Sequence, residues 1–154
     1  MASVFPRDPD APLLRPAGLG DAATVAALLE DLGYPGSPAE ARTRIGQLLD
    51  HPGHELLLLE HGGRPCGLLC LDFIYSLPLG RTSCRISALV IADEARGRGL
   101  GRWLVGEAER RARLAGASRI EVSSAGHRHD AHKLYRECGF LDGSVRLVKR
   151  FGDA

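Results

Sequence analysis

The sequence has little of what marks a membrane-bound, secreted or disulfide-stapled protein. No stretch approaches the run of about 20 apolar residues that a transmembrane helix needs, so no membrane partner is expected. Residues 1–10 contain no hydrophobic signal core, which predicts a cytoplasmic location. The four cysteines form no CxxC pair, which argues against a zinc ribbon or a thioredoxin motif. We expect them to be buried small hydrophobes in a reducing compartment.

Length and composition predict one globular domain. The chain has 154 residues, of which 44% are hydrophobic and 25% are charged, close to the average for folded proteins. Such a chain is long enough to bury a stable hydrophobic core without disulfides or structural metal ions. Residues 1–11 are rich in Pro and Asp and are predicted to be a flexible N-terminus. No repeat or linker divides the remainder, so residues 12–151 are predicted to form a single domain.

Charge is distributed unevenly along the chain, although the formal net charge is only +1. Residues 1–60 hold four arginines and nine acidic residues, whereas residues 96–119 hold seven arginines and two glutamates. The basic segment indicates either a phosphate-bearing partner or a solvated helix face. Because Glu107 and Glu109 share the arginine-rich helix and no aromatic residues interleave on its exposed face, no nucleic-acid partner is expected.

Hydrophobic periodicity predicts six strands and four helices in the order β-α-α-β-β-β-α-β-α-β. Asp21 is predicted to cap the first helix, and Ser37 with Glu40 has the spacing of a capping box for the second. The last strand is predicted at residues 145–148. This order predicts an α/β fold in which four helices flank a mixed central sheet. The sheet has an antiparallel N-terminal part and a parallel β-α-β step.

A glycine-rich segment lies between the strand predicted at residues 85–91 and the helix that follows it. Its sequence is Arg96-Gly97-Arg98-Gly99-Leu100-Gly101, followed by Arg102. Glycines lack Cβ atoms, so backbone N–H groups can approach an anion closely. The first turn of the following helix adds free N–H groups and a partial positive charge. These features together predict a cradle for a pyrophosphate.

Three other interpretations of this segment fit less well. A Walker loop ends in Gly-Lys-Ser/Thr, whereas Gly101 is followed by Arg102 and Trp103. In a G-x-G-x-x-G dinucleotide fingerprint that starts at Gly97, the third glycine position is occupied by Arg102. A glycine turn with surface arginines does not account for the coincidence of strand, glycines, arginines and helix.

Two motifs resemble those of the GCN5-related N-acetyltransferase (GNAT) superfamily. Arg96-x-x-Gly99-x-Gly101 after a strand matches the acetyl-CoA motif R/Q-x-x-G-x-G/A. Ala131-x-x-x-Tyr135-x-x-x-Gly139-Phe140 resembles the second, C-terminal motif. The resemblance extends over residues 86–140. It implies that the predicted domain has the GNAT fold and uses acetyl-CoA as co-substrate.

The resemblance also implies roles for particular residues. The backbone of one strand would contact the pantetheine arm, and the glycine-rich segment would hold the pyrophosphate. Tyr135 matches the usual general acid, which protonates the departing CoA thiolate; a core aromatic is the alternative. The residues implied to bind the co-substrate are Leu89, Val90, Ile91, Arg96, Gly97, Arg98, Gly99, Leu100, Gly101, Arg102, Ser124 and Ala131.

The sequence departs from the family pattern at two places. Many members carry on the strand before the cradle a glutamate that acts as base, whereas residues 86–89 read Ile-Ser-Ala-Leu. Deprotonation is then left to water held by Ser87 or Ser123, or to a histidine; Glu121 is the nearest strand acid downstream. An asparagine common before the second motif is also missing. Ser124 or His127 is the candidate replacement.

Three histidines, His127, His129 and His132, are spaced so that a metal site deserves consideration. No cysteine or second acidic ligand stands close to them in the sequence, so no metal is expected.

Two functions remain open from the sequence. The first is an enzyme that transfers acetyl directly from acetyl-CoA to a primary amine of a small molecule in one ternary complex. The alternative is an acyl-CoA-binding sensor without turnover, which the absent strand glutamate favours. Glu30, Asp31 and Tyr34, at the end of the first helix, favour a cationic acceptor. The resemblance also implies a homodimer. The acceptor itself cannot be identified from the sequence.

Overall fold

The computed structural model describes residue 8, residues 10–123 and residues 129–152, and of His129 only the backbone. Within these residues the chain forms five strands and four α-helices, joined in part by two short 3-10 turns. In chain order the elements are β1 (Leu13–Pro16), α1 (Ala22–Leu32), α2 (Pro38–Asp50), β2 (His54–His61), β3 (Arg64–Ser76), β4 (Arg81–Ile91), α3 (Leu100–Leu114), β5 (Arg119–Val122) and α4 (His129–Glu137).

The five strands form one mixed sheet in the order β1-β2-β3-β4-β5. The pairs β1–β2, β2–β3 and β3–β4 are antiparallel, and β4–β5 is parallel. Parallel neighbours need a crossover connection, which α3 supplies here. The predicted mixed sheet, with its parallel β-α-β step and four helices, is therefore confirmed.

Strand β4 contains a bulge, and its pairing with β5 ends before the strand does. Cys70 of β3 is opposite Ala88, but Leu71 is opposite Ile86, so Ser87 is the extra residue in β4. An extra residue of this kind bends a strand and increases its twist. The register of β4 with β5 ends at Ile86 opposite Val122. The rest of β4, through Ile91, therefore has no strand neighbour on that side among the described residues.

The core consists of aliphatic side chains from the middle strands and from the inner faces of the helices. Helix α1 packs against α2, β3 and β4, whereas α3 packs against β3, β4 and β5. Burial of such side chains removes apolar surface from water and is the main favourable contribution to folding. The largest fully buried residues are Ile45, Leu58, Leu59, Leu68, Leu69, Leu71, Leu104, Val105 and Cys84.

The ends of the first two helices follow the expected chemistry only in part. The Ser37 side chain accepts a hydrogen bond from the N–H of Glu40 at 3.1 Å, as predicted for the cap of α2. Asp21 occupies the predicted N-cap position of α1, but the expectation that its side chain caps the helix is wrong, because it makes no capping hydrogen bond. Its carboxylate instead accepts from Arg15, at 2.8 Å, and from the N–H of Gly18. The guanidinium of Arg15 lowers the pKa of Asp21 below its ordinary value.

The strand predicted at residues 145–148 is also wrong. Residues 140–150 have no regular secondary structure. Apolar, β-branched side chains favour a strand, but this segment pairs with none of the described strands. We call residues 141–151 the C-terminal arm. Its apolar side chains are exposed, with Val145 at 86% and Leu147 at 91%.

No helix in the described part of the chain is both long and apolar enough to cross a membrane.

The burial of the core predicts that replacing two leucines of α3 by alanine lowers the free energy of unfolding by different amounts. Leu104 is fully buried, whereas Leu114 is 75% exposed. Leu104→Ala is expected to lower the free energy of unfolding by about 2–5 kcal/mol, because it leaves a cavity. Leu114→Ala, the matched control, is expected to change it by less than about 0.5 kcal/mol. Urea denaturation followed by circular dichroism measures both values. Equal losses would contradict this description of the core.

Candidate active site

A large cavity lies beside the free part of β4. Its volume is about 710 Å³. The lining comes from the end of α1, the free part of β4, the loop before α3, the first turn of α3 and the start of α4. The lining residues are Asp31, Leu32, Gly33, Leu89, Val90, Ile91, Ala95, Arg96, Gly97, Gly99, Leu100, Gly101, Asp130, Ala131 and Leu134.

The glycine-rich segment has the backbone geometry that the pyrophosphate prediction requires. Gly97 and Gly99 have φ values of +80° and +76°, a conformation that only glycine adopts without strain. A Cβ atom at either position would meet nothing within 4 Å, so the space beside them is open. Among the described residues, no backbone carbonyl accepts from the N–H groups of residues 97–102. These donors lie at the positive end of α3 and fit an anion.

The arginines of this segment have different surroundings. Arg96 lines the large cavity, but its guanidinium donates to the carbonyl of Ile91 at 3.2 Å and pairs with Asp93 at 2.9 Å. Arg102 pairs with Glu137 of α4 at 3.0 Å. Arg98 and Arg102 are outside the lining of the large cavity. Two of the three arginines expected at the pyrophosphate therefore brace the loop and α4.

Gly101 has a packing role that sequence reasoning did not identify. A Cβ atom at this position would lie 3.2 Å from Cδ2 of Leu134 and 4.0 Å from Cγ1 of Ile91. The glycine thus allows α4 to approach the first turn of α3. Leu100, its neighbour, is buried and anchors that turn in the core.

A small cavity of about 80 Å³ adjoins the large one and shares Leu32, Leu89 and Ala131 with it. It occupies the place where β4 and β5 separate. Tyr135 lines it, is 8% exposed, and packs its ring 5.4 Å from that of Phe140. The other lining residues are Tyr34, Ile86, Ser87, Ala88, Val122 and Ser123.

The residues predicted as a possible base, or as a replacement for the missing asparagine, lie in different places. Glu121 lines neither cavity and pairs with Arg85 at 3.0 Å, so it is not placed to act as a base there. Ser87 and Ser123 both line the small cavity. Ser124 and His127 lie outside the described residues.

The three residues at the end of α1 that favoured a cationic acceptor, Glu30, Asp31 and Tyr34, are not gathered at the small cavity. Of the three, Tyr34 lines the small cavity and Asp31 the large one, while Glu30 lines neither. Asp31 and Asp130, which line the large cavity, were not among the predicted site residues. Residue spacing gives no signal for Asp31, because its position depends on how α1 packs against β4. Asp130 was predicted as a helix cap, yet α4 begins one residue earlier.

The cysteines behave as the expected buried hydrophobes. Cys66, Cys70 and Cys84 are buried, and Cys138 is partly buried. Burial raises the pKa of all four thiols, to about 11 for Cys84. At neutral pH these thiols are protonated and therefore poor nucleophiles.

No group of three or more His, Cys, Asp or Glu side chains that could hold a metal ion occurs in the part of the chain that the structure describes.

A family model for the acetyltransferase (GNAT) family matches residues 22–140. The chain belongs to the GNAT family. This membership makes the protein an acyltransferase enzyme and confirms the resemblance seen in its motifs. GNAT enzymes use acetyl-CoA, which accords with a large cavity bordered by unpaired N–H groups.

Individual relatives agree with this family. The chain is 33% identical over 102 residues to an aminoalkylphosphonate N-acetyltransferase from Salmonella typhimurium, a match that spans 66% of each protein. A GNAT acetyltransferase from Staphylococcus aureus has a TM-score of 0.79 at 22% identity, covering 92% of this chain and 99% of that one. An aminoglycoside N-acetyltransferase in complex with CoA has a TM-score of 0.79 at 12% identity, covering 97% and 99%.

The geometry of the GNAT cradle predicts that Gly99→Val weakens CoA binding. A β-branched residue at the φ of Gly99 costs about 1–3 kcal/mol of strain, so the loop is expected to rearrange. Isothermal titration calorimetry is expected to show at least a tenfold (~1.4 kcal/mol) loss of CoA affinity.

Gly106→Ala is the matched control in the same helix. A Cβ at Gly106 would meet nothing within 4 Å, and alanine favours a helix by about 0.5–1 kcal/mol. Its CoA affinity is expected to stay unchanged. If Gly99→Val also left the affinity unchanged, the N–H groups of this loop would not be the binding site.

Proposed function

We propose that the enzyme moves an acetyl group from acetyl-CoA to a primary amine of a small molecule by direct attack in a ternary complex. The observation that carries this proposal is the junction of the two cavities. The large cavity borders unpaired N–H groups, the small one holds Tyr135, and the two share lining residues at the free part of β4. Donor and acceptor can therefore meet without a covalent enzyme intermediate.

In this proposal the large cavity holds acetyl-CoA, which supplies the activated acetyl group. The N–H groups of residues 97–102 hold its diphosphate. The pantetheine arm runs along the part of β4 at Leu89, Val90 and Ile91 that does not pair with β5. A β4 N–H that points into the gap polarises the thioester carbonyl. Placing both reactants in adjoining cavities is expected to supply most of the rate enhancement, because it removes the entropy cost of bringing them together.

Tyr135 is the proposed general acid. Its ring lines the small cavity and is held by packing against Phe140. Phenols ordinarily have a pKa near 10 and remain protonated at neutral pH, so they can donate a proton to a departing thiolate.

The acceptor is proposed to be a small primary amine, since the small cavity measures about 80 Å³. A relative that acts on aminoalkylphosphonates suggests amines that also carry an anionic group. Arg146 of the C-terminal arm donates to Ser123, which lines this cavity, at 3.0 Å. A guanidinium at that position suits a phosphonate or carboxylate. An acceptor screen should therefore include neutral, cationic and anionic amines.

The C-terminal arm supports the proposal of a homodimer. Monomeric proteins rarely expose large contiguous apolar patches. The arm exposes Leu141, Val145, Leu147, Val148 and Phe151, each by more than 70%. Beside it, β5 is the last strand of the sheet and offers an unpaired edge. We infer that a second copy covers these side chains.

We also propose that the enzyme works in the cytoplasm. All four cysteines are free, and three of them are buried. Free thiols are characteristic of a reducing compartment.

The role of Tyr135 is tested by Tyr135→Phe, which keeps the ring and removes the hydroxyl. The substitution is expected to lower kcat about 100-fold and to leave the affinity for CoA unchanged, because only proton donation is lost. Thiol release measured with DTNB over the amine panel gives kcat.

Tyr75→Phe is the matched control, since Tyr75 is 66% exposed and lines neither cavity. Equal activity of Tyr135→Phe and wild type would remove Tyr135 from the mechanism. CoA binding without thiol release from any amine would remove the transferase proposal.

The dimer is tested by two leucines of similar exposure. Leu147→Asp in the arm is expected to give a monomer, because it places a charge where the second copy packs. Leu77→Asp, on the loop between β3 and β4, is expected to leave the dimer intact. Light scattering coupled to size-exclusion chromatography measures the mass of each. A monomeric wild-type chain would contradict the proposal.

A further inference from the structure

Among the described residues, none that lines the small cavity carries a carboxylate, yet an amine must lose a proton before it attacks a thioester. Its described lining is made of apolar residues, two tyrosines and two serines. Simple alkylamines are protonated at neutral pH and are then not nucleophilic. A group that accepts the proton has to connect to this cavity.

Ser87 provides such a connection. As the extra residue of the β4 bulge, it lines the small cavity. Its Oγ lies 3.4 Å from Oδ1 of Asp72 on β3 and 3.2 Å from the carbonyl oxygen of Cys70. Ser87 therefore lies between the cavity that it lines and a carboxylate within reach of its hydroxyl.

A histidine holds that carboxylate in place. Nδ1 of His54, on β2, lies 2.7 Å from the same Oδ1 of Asp72. The side chains of His54 and Asp72 are 32% and 20% exposed, so water reaches this end of the chain of contacts. The three residues come from three adjacent strands, and we call them the Ser87–Asp72–His54 relay.

The other charged and titratable groups nearby leave Asp72 available. Arg85 is opposite Asp72 in the β3–β4 register, but its guanidinium pairs with Glu121 on β5. Burial raises the pKa of the Cys70 and Cys84 thiols, and the nearby charge of Asp72 raises it further. Neither thiol therefore competes as a base at neutral pH.

We propose that the Ser87–Asp72–His54 relay removes the proton from the acceptor ammonium. One N–H proton of the ammonium passes to Oγ of Ser87 as the Ser87 hydroxyl proton passes to Oδ1 of Asp72. The nitrogen keeps its electron pair, which then forms the bond to the acetyl carbon as the C–S bond of the thioester breaks. The departing thiolate takes its proton from Tyr135, and the second N–H proton, lost as the amide forms, replaces it on the Tyr135 oxygen. Asp72 returns the proton to water through its exposed side, and His54 positions the carboxylate throughout.

This inference rests on the proposed amine acetylation and explains how it proceeds without a glutamate at the start of the free part of β4. Ser87 is the group that touches the acceptor. Asp72 and His54 act through it and are positioning residues.

Two amines of matched carbon skeleton test the relay. Ethylamine is protonated at pH 7 and needs a base, whereas 2,2,2-trifluoroethylamine is largely neutral and does not. In Ser87→Ala and in Asp72→Asn, kcat/KM for ethylamine is expected to fall about 100-fold, the usual contribution of a general base. With trifluoroethylamine the loss is expected to be at most about threefold, since no proton has to be removed first.

The controls separate chemistry from folding. Ser87→Thr keeps a hydroxyl and is expected to retain most of the ethylamine activity. Glu107→Gln makes the same carboxylate-to-amide change on α3, where Glu107 pairs with Arg110, and is expected to be neutral for both amines. Calorimetry with CoA checks that each variant keeps its folded co-substrate site.

The outcomes distinguish this proposal from the one it rests on. Equal losses for the two amines, or unchanged ethylamine activity in Asp72→Asn, would overturn the relay while leaving amine acetylation in place. If the wild-type chain acetylated neither amine nor any member of the panel, the transferase proposal itself would fail and the relay with it.

Discussion

The separation of β4 from β5 is the constraint on which the site depends. Pairing of the two strands stops at Ile86, and the bulge at Ser87 turns the rest of β4 away. Backbone groups of β4 that would form hydrogen bonds with β5 in a continuous sheet therefore face a cavity instead. The same separation opens the small cavity, into which α4 directs Tyr135. The irregularity of β4 at Ile86 and Ser87 thus opens both cavities.

Electrostatics around the co-substrate cavity rely more on the backbone than on side chains. Arg96 and Arg102 are occupied by Asp93 and Glu137, which fixes the loop and ties α4 to α3. The positive field at the cavity therefore comes largely from the N–H groups of the glycine-rich segment and from the helix end. Backbone donors of this kind are already in place before an anion arrives, so little ordering is needed on binding.

Local signals predicted much of this fold, and tertiary contacts decided the rest. The glycine-rich segment was recognisable because a turn with positive φ at Gly97 and Gly99 requires glycine, whatever surrounds it. The second motif was recognisable because the i, i+4 spacing of Ala131 and Tyr135 on one helix is a local property. The arm has the apolar, β-branched composition of a strand, but a strand also depends on pairing, and the arm pairs with none of the described strands. Asp72 was missed because its link to Ser87 crosses strands and depends on the bulge register.

The most direct test of the account is a crystal structure of the enzyme with acetyl-CoA bound. The account predicts the diphosphate over the N–H groups of residues 97–102, the pantetheine arm along the free part of β4, and the thioester at the junction of the two cavities beside Tyr135. A diphosphate bound elsewhere, or a gap between β4 and β5 filled by the protein's own atoms, would contradict it.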